Sequence, residues 1–159
     1  MKYWDIFDSE LGPIQVICDE AGVLGLEFGS KTPKEGQQKS SDLIKKTVLQ
    51  LNEYLIGERT DFDLPLKPEG TVFQKKVWEA LCTIPYGQTR SYKEIAVQIG
   101  NEKACRAVGM ANNRNPIPII IPCHRVIGAD KSLVGYGGGL NIKIQLLNLE
   151  IPGVTWKNY

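Results

Sequence analysis

Near the start of the chain Ile14, Val16 and Cys18 alternate with Gln15, Ile17 and Asp19, a loose period of two that predicts a strand. Pro13 and Glu20-Ala21-Gly22 punctuate this run, and a further strand is expected over Val23–Phe28. Residues 1–28 therefore read as an antiparallel meander of about three strands. Residues 29–40 are polar, contain Gly29, Pro33 and Gly36, and read as an exposed loop. The period then changes. Ile44, Val48, Leu51 and Leu55 follow helical spacing behind Ser41, a suitable N-cap, and Gly57 ends the pattern. This helix is expected to cover one face of the sheet. Residues 58–70 hold Pro65, Pro68 and Gly70 without a helical stripe and read as a linker, which divides the chain into 1–70 and 71–159.

The second unit opens on Thr71-Val72-Phe73-Gln74, a capping box, with Phe73, Val77, Trp78 and Leu81 as the buried stripe of its helix. Pro85-Tyr86-Gly87 stops that segment, and Ser91-Tyr92-Lys93-Glu94 is a second capping box opening a short helix that ends near Gly100. Asn101 is a possible cap for a third helix over 102–112. Helix, short turn with glycine, helix is the helix-turn-helix pattern. The third helix carries Lys103, Arg106 and the small residues Ala107, Gly109 and Ala111. Small residues let a backbone approach closely, and either a groove or a neighbouring helix would be served by them.

Composition changes little in this picture. With 159 residues, 42% apolar and 23% charged, the chain has material for one domain or two small ones; collagen, long coiled coil and wholesale disorder are excluded. Ile119-Ile120-Ile121 is the longest aliphatic run, so no transmembrane helix is expected. The N-terminus has no signal-peptide pattern, which points to the cytoplasm. The four cysteines show no paired spacing and argue against a disulfide scaffold. Charge is polarised: 8 basic and 13 acidic residues over 1–70 give −5, and 11 against 5 over 71–159 give +6. The basic half is the unit suited to a polyanion, although +6 is modest for a nucleic-acid binder.

One stretch concentrates chemistry: Asn115-Pro116-Ile117-Pro118-Ile119-Ile120-Ile121-Pro122-Cys123-His124-Arg125-Val126. Three prolines exclude a helix and stiffen the backbone, and the isoleucines should be buried. A cysteine and the only histidine of the chain then stand side by side. A thiol is nucleophilic as thiolate, and nearby imidazole and guanidinium groups favour that form. Cys123 and His124 can cooperate only where the chain turns, because neighbours on a strand point to opposite faces. A buried acid would orient the imidazole, and Glu150 at the end of the apolar helix 142–149 is the candidate. Chemistry alone leaves a nucleophile and a buried structural thiol side by side for Cys123; Cys18, Cys82 and Cys105 read as structural thiols. One histidine and no close cysteine pair make a zinc site improbable.

The run Pro122-Cys123-His124-Arg125-Val126 resembles the active-site signature of the O6-alkylguanine-DNA alkyltransferases, also called methylated-DNA–protein-cysteine methyltransferases. The resemblance takes in Thr71, Phe73-Gln74, Val77-Trp78, Ile84-Pro85-Tyr86-Gly87, Thr89, Ser91-Tyr92 and Arg106-Ala107-Val108-Gly109. It continues through Asn115-Pro116, Gly135-Tyr136, Gly138-Gly139, Lys143, Leu146-Leu147 and Glu150, in order over about half of the chain. The front half resembles the family only in its layout. An α+β fold is thus implied. A small antiparallel sheet-and-helix domain, ribonuclease-H-like, precedes a mostly helical, winged-helix-like domain containing the helix-turn-helix.

The resemblance implies direct reversal of DNA damage. A single-turnover enzyme moves an alkyl group irreversibly from O6-alkylguanine, and by extension O4-alkylthymine, to its own cysteine. It assigns Cys123 as the acceptor, His124 as its activator through a water, and Glu150 as the acid orienting that histidine. Asn115 supports the thiol network, and Tyr92 helps rotate the nucleotide and protonates the leaving base. Arg106 enters the duplex where the base has left, since a stacked base is out of reach. Ala107 and Gly109 form the small face in the minor groove, with Ser91 beside Tyr92 at the DNA. Tyr136, Lys143 and Val126 line or adjoin the alkyl pocket. No cofactor and no metal are implied. The partner is double-stranded DNA carrying alkylated bases, with no membrane role, and the protein is expected to be a monomer.

Gly137 stands where some members carry serine, and a regulatory domain fused upstream in adaptive-response members has no counterpart, so a stand-alone form is expected. Three other readings fit less of the sequence. A non-catalytic alkyltransferase-like protein would lack Cys123. A helix-turn-helix regulator leaves the Cys-His pair unexplained. A cysteine hydrolase would turn over repeatedly and ignore DNA.

Overall fold

Ser9 and Gly12 close a two-residue loop that sets strand β1 (Tyr3–Ser9) antiparallel to β2 (Gly12–Cys18), with Tyr3 opposite Cys18. Asp19 accepts from the backbone N–H groups of Ala21 and Gly22, a side-chain-closed turn that returns the chain into β3 (Val23–Phe28). In this computed structural model, which describes residues 1–33, 35–133, 136 and 138–158, the chain divides into two compact units, Met1–Glu69 and Gly70–Tyr159.

The sheet of the first unit runs β3-β2-β1-β4. Its fourth strand, β4 (Gln37–Gln38), pairs parallel with β1 inside the stretch expected to be a loop. Helix α1 (Asp42–Leu55) begins on Ser41, whose side chain accepts from the N–H of Ile44. Its buried face is Ile44, Thr47, Gln50, Leu51, Tyr54 and Leu55, so Val48 sits at the margin of the stripe. The polar members of that face are satisfied locally. Thr47 donates to the Leu43 carbonyl at 2.7 Å, and the Gln50 amide exchanges two hydrogen bonds with the backbone of Asp63.

Residues 58–70 are not a free linker. Val23 N–H donates to the Pro65 carbonyl and Lys67 N–H to the Val23 carbonyl, both at 2.8 Å, forming a parallel bridge beside β3. Gly22 is needed there, because a Cβ on it would lie 2.9 Å from the Pro65 carbonyl oxygen.

In the second unit both capping boxes form. Thr71 opens α2 (Val72–Leu81) and Ser91 opens α3 (Tyr92–Gln98). The third helix, α4, spans Cys105–Asn113 and starts three residues later than its pattern suggested. Asn101 is the reason. Its N–H donates to the Ala96 carbonyl and that of Gly100 to Val97, the double bond that terminates α3 with Gly100 at φ 84°. Asn101 therefore finishes one helix and does not cap the next. The Trp78 indole donates to the Ala111 carbonyl at 2.9 Å, joining α2 to α4 in a core with Leu81, Ile95 and Val108.

Three further elements bring the chemistry together. Strand β5 (Arg90–Ser91) pairs in parallel with β6 (Val126–Ile127), which puts the start of α3 beside the segment that precedes β6. Strand β7 (Ser132–Leu133) pairs with β8 (Lys157–Asn158), and between them lies α5 (Leu140–Glu150), ending on the acid singled out from the sequence. The fold is thus α+β, a sheet with one covering helix followed by a helical unit with a helix-turn-helix. No helix among the described residues is long and apolar enough to cross a membrane.

Candidate active site and DNA interface

The proline-rich run folds back on itself before the cysteine. Asn115 stitches it from both ends: its Oδ1 accepts from Ile117 N–H at 2.9 Å and its Nδ2 donates to the Ile121 carbonyl at 2.8 Å. Between them Ile119 adopts a left-handed backbone, φ 73°, while almost wholly buried. A β-branched residue avoids that region, so the surrounding packing must hold it there. Ile117, Ile119, Ile120 and Ile121 are all buried, as their stiff apolar run predicted.

Cys123, His124 and Arg125 then form one turn of 3-10 helix. With three residues per turn, consecutive side chains point about 120° apart, so three neighbours address three different surroundings. The thiol of Cys123 is 3% exposed, and burial pushes its pKa up to about 11. A hydrogen bond with Asn115, the positive charge of Lys143 and a hydrogen bond with Tyr136 pull in the opposite direction. Lys143 is itself fully buried, donates to the Val126 carbonyl at 2.7 Å, and is lowered to about 8 by desolvation. The Asn112 side chain donates to the Cys123 carbonyl at 3.3 Å, anchoring the turn to α4.

His124 is fully buried, and its Nε2 meets Glu150 Oε2 at 2.6 Å. A carboxylate accepts only, so the neutral imidazole carries its proton on Nε2 and its lone pair on Nδ1. Burial lowers the histidine pKa below its ordinary value; Glu150 opposes this, while Arg125 and Lys143 add to it. Glu150 takes three further donors. Arg125 Nε reaches Oε1 at 2.8 Å, Arg125 Nη2 reaches Oε2 at 3.1 Å, and Gly87 N–H reaches Oε1 at 3.1 Å. Gly87 has φ 79°, the left-handed conformation that aims its N–H at the carboxylate. Arg125 also donates to the Ile84 carbonyl at 2.6 Å and lies 5.8 Å from the Tyr86 ring centroid.

The guanidinium expected to act on the thiol is thus engaged with Glu150 and Ile84. Its role was missed because the signature reads as a charge beside a cysteine. Ile84, Tyr86 and Gly87 stood in the matching pattern, without a role. Cys18 is buried, as expected of a structural thiol, but Cys82 is exposed and Cys105 is half-buried. The physical reason lies in their positions at helix ends: Cys82 follows α2, and Cys105 opens α4 with its thiol on the Glu102 carbonyl.

The residues expected at DNA occupy the helix-turn-helix. Ser91 is spent in part as a cap, accepting from Glu94 N–H at 3.1 Å. Tyr92 is half-buried, and desolvation together with the negative charge of Cys123 raises its pKa to about 12. A Cβ on Gly109 would sit in ordinary contact, 3.9 Å from the Tyr92 ring, so this point of α4 faces that tyrosine. Arg106 and Ala107 face solvent on α4, outside the buried cysteine–histidine–glutamate group. Tyr136 and Val126 are buried. Gly135 and Gly137 lie outside the described residues.

Residues 72–151 match the family model for the 6-O-methylguanine DNA methyltransferase DNA binding domain, and residues 2–68 match that for its ribonuclease-like domain. The chain belongs to the 6-O-methylguanine DNA methyltransferase family. A methylated-DNA–protein-cysteine methyltransferase of Methanosarcina barkeri is 53% identical over 152 residues, covering 93% of this chain and 96% of the relative. The crystal structure of the Mycobacterium tuberculosis O6-methylguanine methyltransferase superposes with a TM-score of 0.87 at 46% identity, covering 98% and 96% of the two chains. The crystal structure of the M. tuberculosis protein in complex with DNA gives a TM-score of 0.88 at 47% identity, covering 95% and 96%. The ribonuclease-like and DNA-binding parts of the 6-O-methylguanine DNA methyltransferases account for the sheet unit and the helical unit respectively.

Proposed function

We propose that Cys123 is the acceptor through which this methyltransferase reverses alkylation of guanine O6 in DNA, once per molecule. The observation that carries the reading is the buried turn holding Cys123 beside His124, whose imidazole is locked on Glu150 at 2.6 Å. A thiol raised to about 11 is ionised in only about one molecule in ten thousand at neutral pH, so a base must take its proton as reaction proceeds. His124 Nδ1 supplies that base, through a water. Sulfur then forms its bond to the alkyl carbon as the carbon–O6 bond breaks, and the electron pair leaves with the guanine. Tyr92, protonated at neutral pH, donates to the departing base, and the histidine proton returns to it through solvent. The thioether product has no leaving group that the site can displace, which makes the reaction stoichiometric.

The DNA-binding unit places α4 in the minor groove, with Ala107 and Gly109 allowing close approach and Arg106 filling the space of the extruded nucleotide. O4-alkylthymine presents the same alkyl-oxygen chemistry and is a secondary substrate. The large exposed apolar residues among those described, Met1, Leu49, Ile56, Val72, Val97, Met110 and Val154, are spread along the chain with no continuous exposed run, which supports a monomer. Four free thiols suit the reducing cytoplasm. Incubation with duplex carrying tritium-labelled O6-methylguanine tests the assignment: label moves to the wild-type protein and none to Cys123→Ser. Label on Cys123→Ser protein would reject Cys123 as acceptor. A minor-groove ligand such as netropsin should slow transfer, and a major-groove competitor should not.

A further inference from the structure

Glu150 carries a negative charge into a buried site, yet the histidine it holds stays below its ordinary pKa. In a bare histidine–carboxylate pair the carboxylate stabilises imidazolium and raises the histidine. Burial is the largest cause of that lowering, and the third member of the group, Arg125, adds to it. Arg125, 7% exposed, grips Glu150 through Nε at 2.8 Å and Nη2 at 3.1 Å, and its remaining arm is fixed on the Ile84 carbonyl at 2.6 Å. The two formal charges cancel within one fork, and four donors fill the carboxylate.

We infer that Arg125 is a positioning residue that neutralises Glu150, so that the carboxylate fixes the His124 tautomer and direction without turning the imidazole into its cation. The inference rests on the reading of His124 as the proton acceptor. An imidazolium has no lone pair for the Cys123 proton, so an uncompensated carboxylate would orient the base and disable it together. The charged groups facing His124 are Glu150 and Lys143 from α5 and Arg125 from its own turn. Lys143 donates to the Val126 carbonyl. Arg125 carries both the charge and the fork on the carboxylate.

His124 is the only histidine in the chain, so its ring signals identify themselves in an NMR titration. The wild-type protein should show a neutral ring protonated on Nε2 at pH 7. Arg125→Met, of similar length and no charge, should move the protonation midpoint up by about one pH unit or more. The acid limb of the transfer rate to free O6-benzylguanine should move by the same amount. Arg125→Lys keeps the charge and should keep the wild-type midpoint while transferring more slowly. An imidazolium in the wild type at pH 7 would overturn the inference, and that measurement needs no variant. So would an unmoved midpoint in folded Arg125→Met, or a raised midpoint in Arg125→Lys. The titration does not depend on alkyl transfer. A protein showing the shift but transferring nothing would retain the charge balance and lose the assignment of Cys123.

Discussion

Glu150→Gln tests the buried network at its centre. The carboxylate accepts from His124, from two nitrogens of Arg125 and from Gly87 N–H. Glutamine offers one oxygen and one NH2 group in the same space. With the NH2 group at the Oε2 position, His124 Nε2–H and Arg125 Nη2 meet a donor; at the Oε1 position, Arg125 Nε and Gly87 N–H do. Either way two hydrogen bonds are lost and the Arg125 charge is left buried without its counter-charge. Breaking one partner of a buried pair costs about 3–5 kcal/mol. For a chain of this size that lowers the melting temperature by roughly 6–20 °C. In the first orientation the amide also invites the imidazole to accept at Nε2, which moves its proton to Nδ1 and removes the base. Transfer should slow by about 10²–10⁴-fold, the usual worth of general-base catalysis. Thermal unfolding and single-turnover transfer from free O6-benzylguanine, below the melting temperature, measure both. A folded Glu150→Gln protein that melts within 2 °C of wild type (roughly half a kcal/mol) and reacts at the wild-type rate would refute the network.

Arg106→Ala should slow repair in duplex DNA by about tenfold or more, the equivalent of about 1.4 kcal/mol, and leave reaction with free O6-benzylguanine almost unchanged. Equal losses on both substrates would remove Arg106 from the DNA step. Thr71→Ala deletes the cap of α2 and should cost about 1 kcal/mol in denaturant unfolding, with transfer intact at 25 °C. Cys123 is raised to about 11 from an ordinary 9, so between those values the folded state binds more protons than the unfolded one. Its stabilising contribution is full below pH 9 and is lost as pH rises to about 11. Lys143, lowered to about 8, works in the opposite sense between about 8 and 10.5. Comparing Cys123→Ala with wild type across pH 8–11 isolates the thiol: the stability difference should shift against wild type above pH 9, and a flat difference would contradict the burial argument.

Much of this was legible because it is local. Thr71 to Gln74 and Ser91 to Glu94 specify helix starts within four residues, and both form as capping boxes. The juxtaposition of Cys123 and His124 required a turn, and a 3-10 turn provides it. What escaped the sequence is non-local or carried by polar groups. The two-residue β4 and the bridge at Leu66 are too short to show a period and exist only through their partners. Gln15 and Gln50 are buried although the alternation and the helical stripe leave them among the polar positions: the Gln15 NH2 group donates to the Lys31 carbonyl, and the Gln50 amide exchanges two hydrogen bonds with the backbone of Asp63. Arg125 reads as one more basic residue until its fork is seen on a carboxylate 25 positions away.

The most direct test of the account is the mass of the intact protein after incubation with duplex DNA containing O6-methylguanine, followed by peptide mapping. A gain of one methylene (about 14 Da), saturating at one per molecule in keeping with a thioether that no group in the site reverses and located on Cys123, is the predicted result. No gain, in a protein that still binds such DNA, would contradict it and leave a damage-binding protein in place of a repair enzyme; a gain on any other residue would displace Cys123 from the centre of the site.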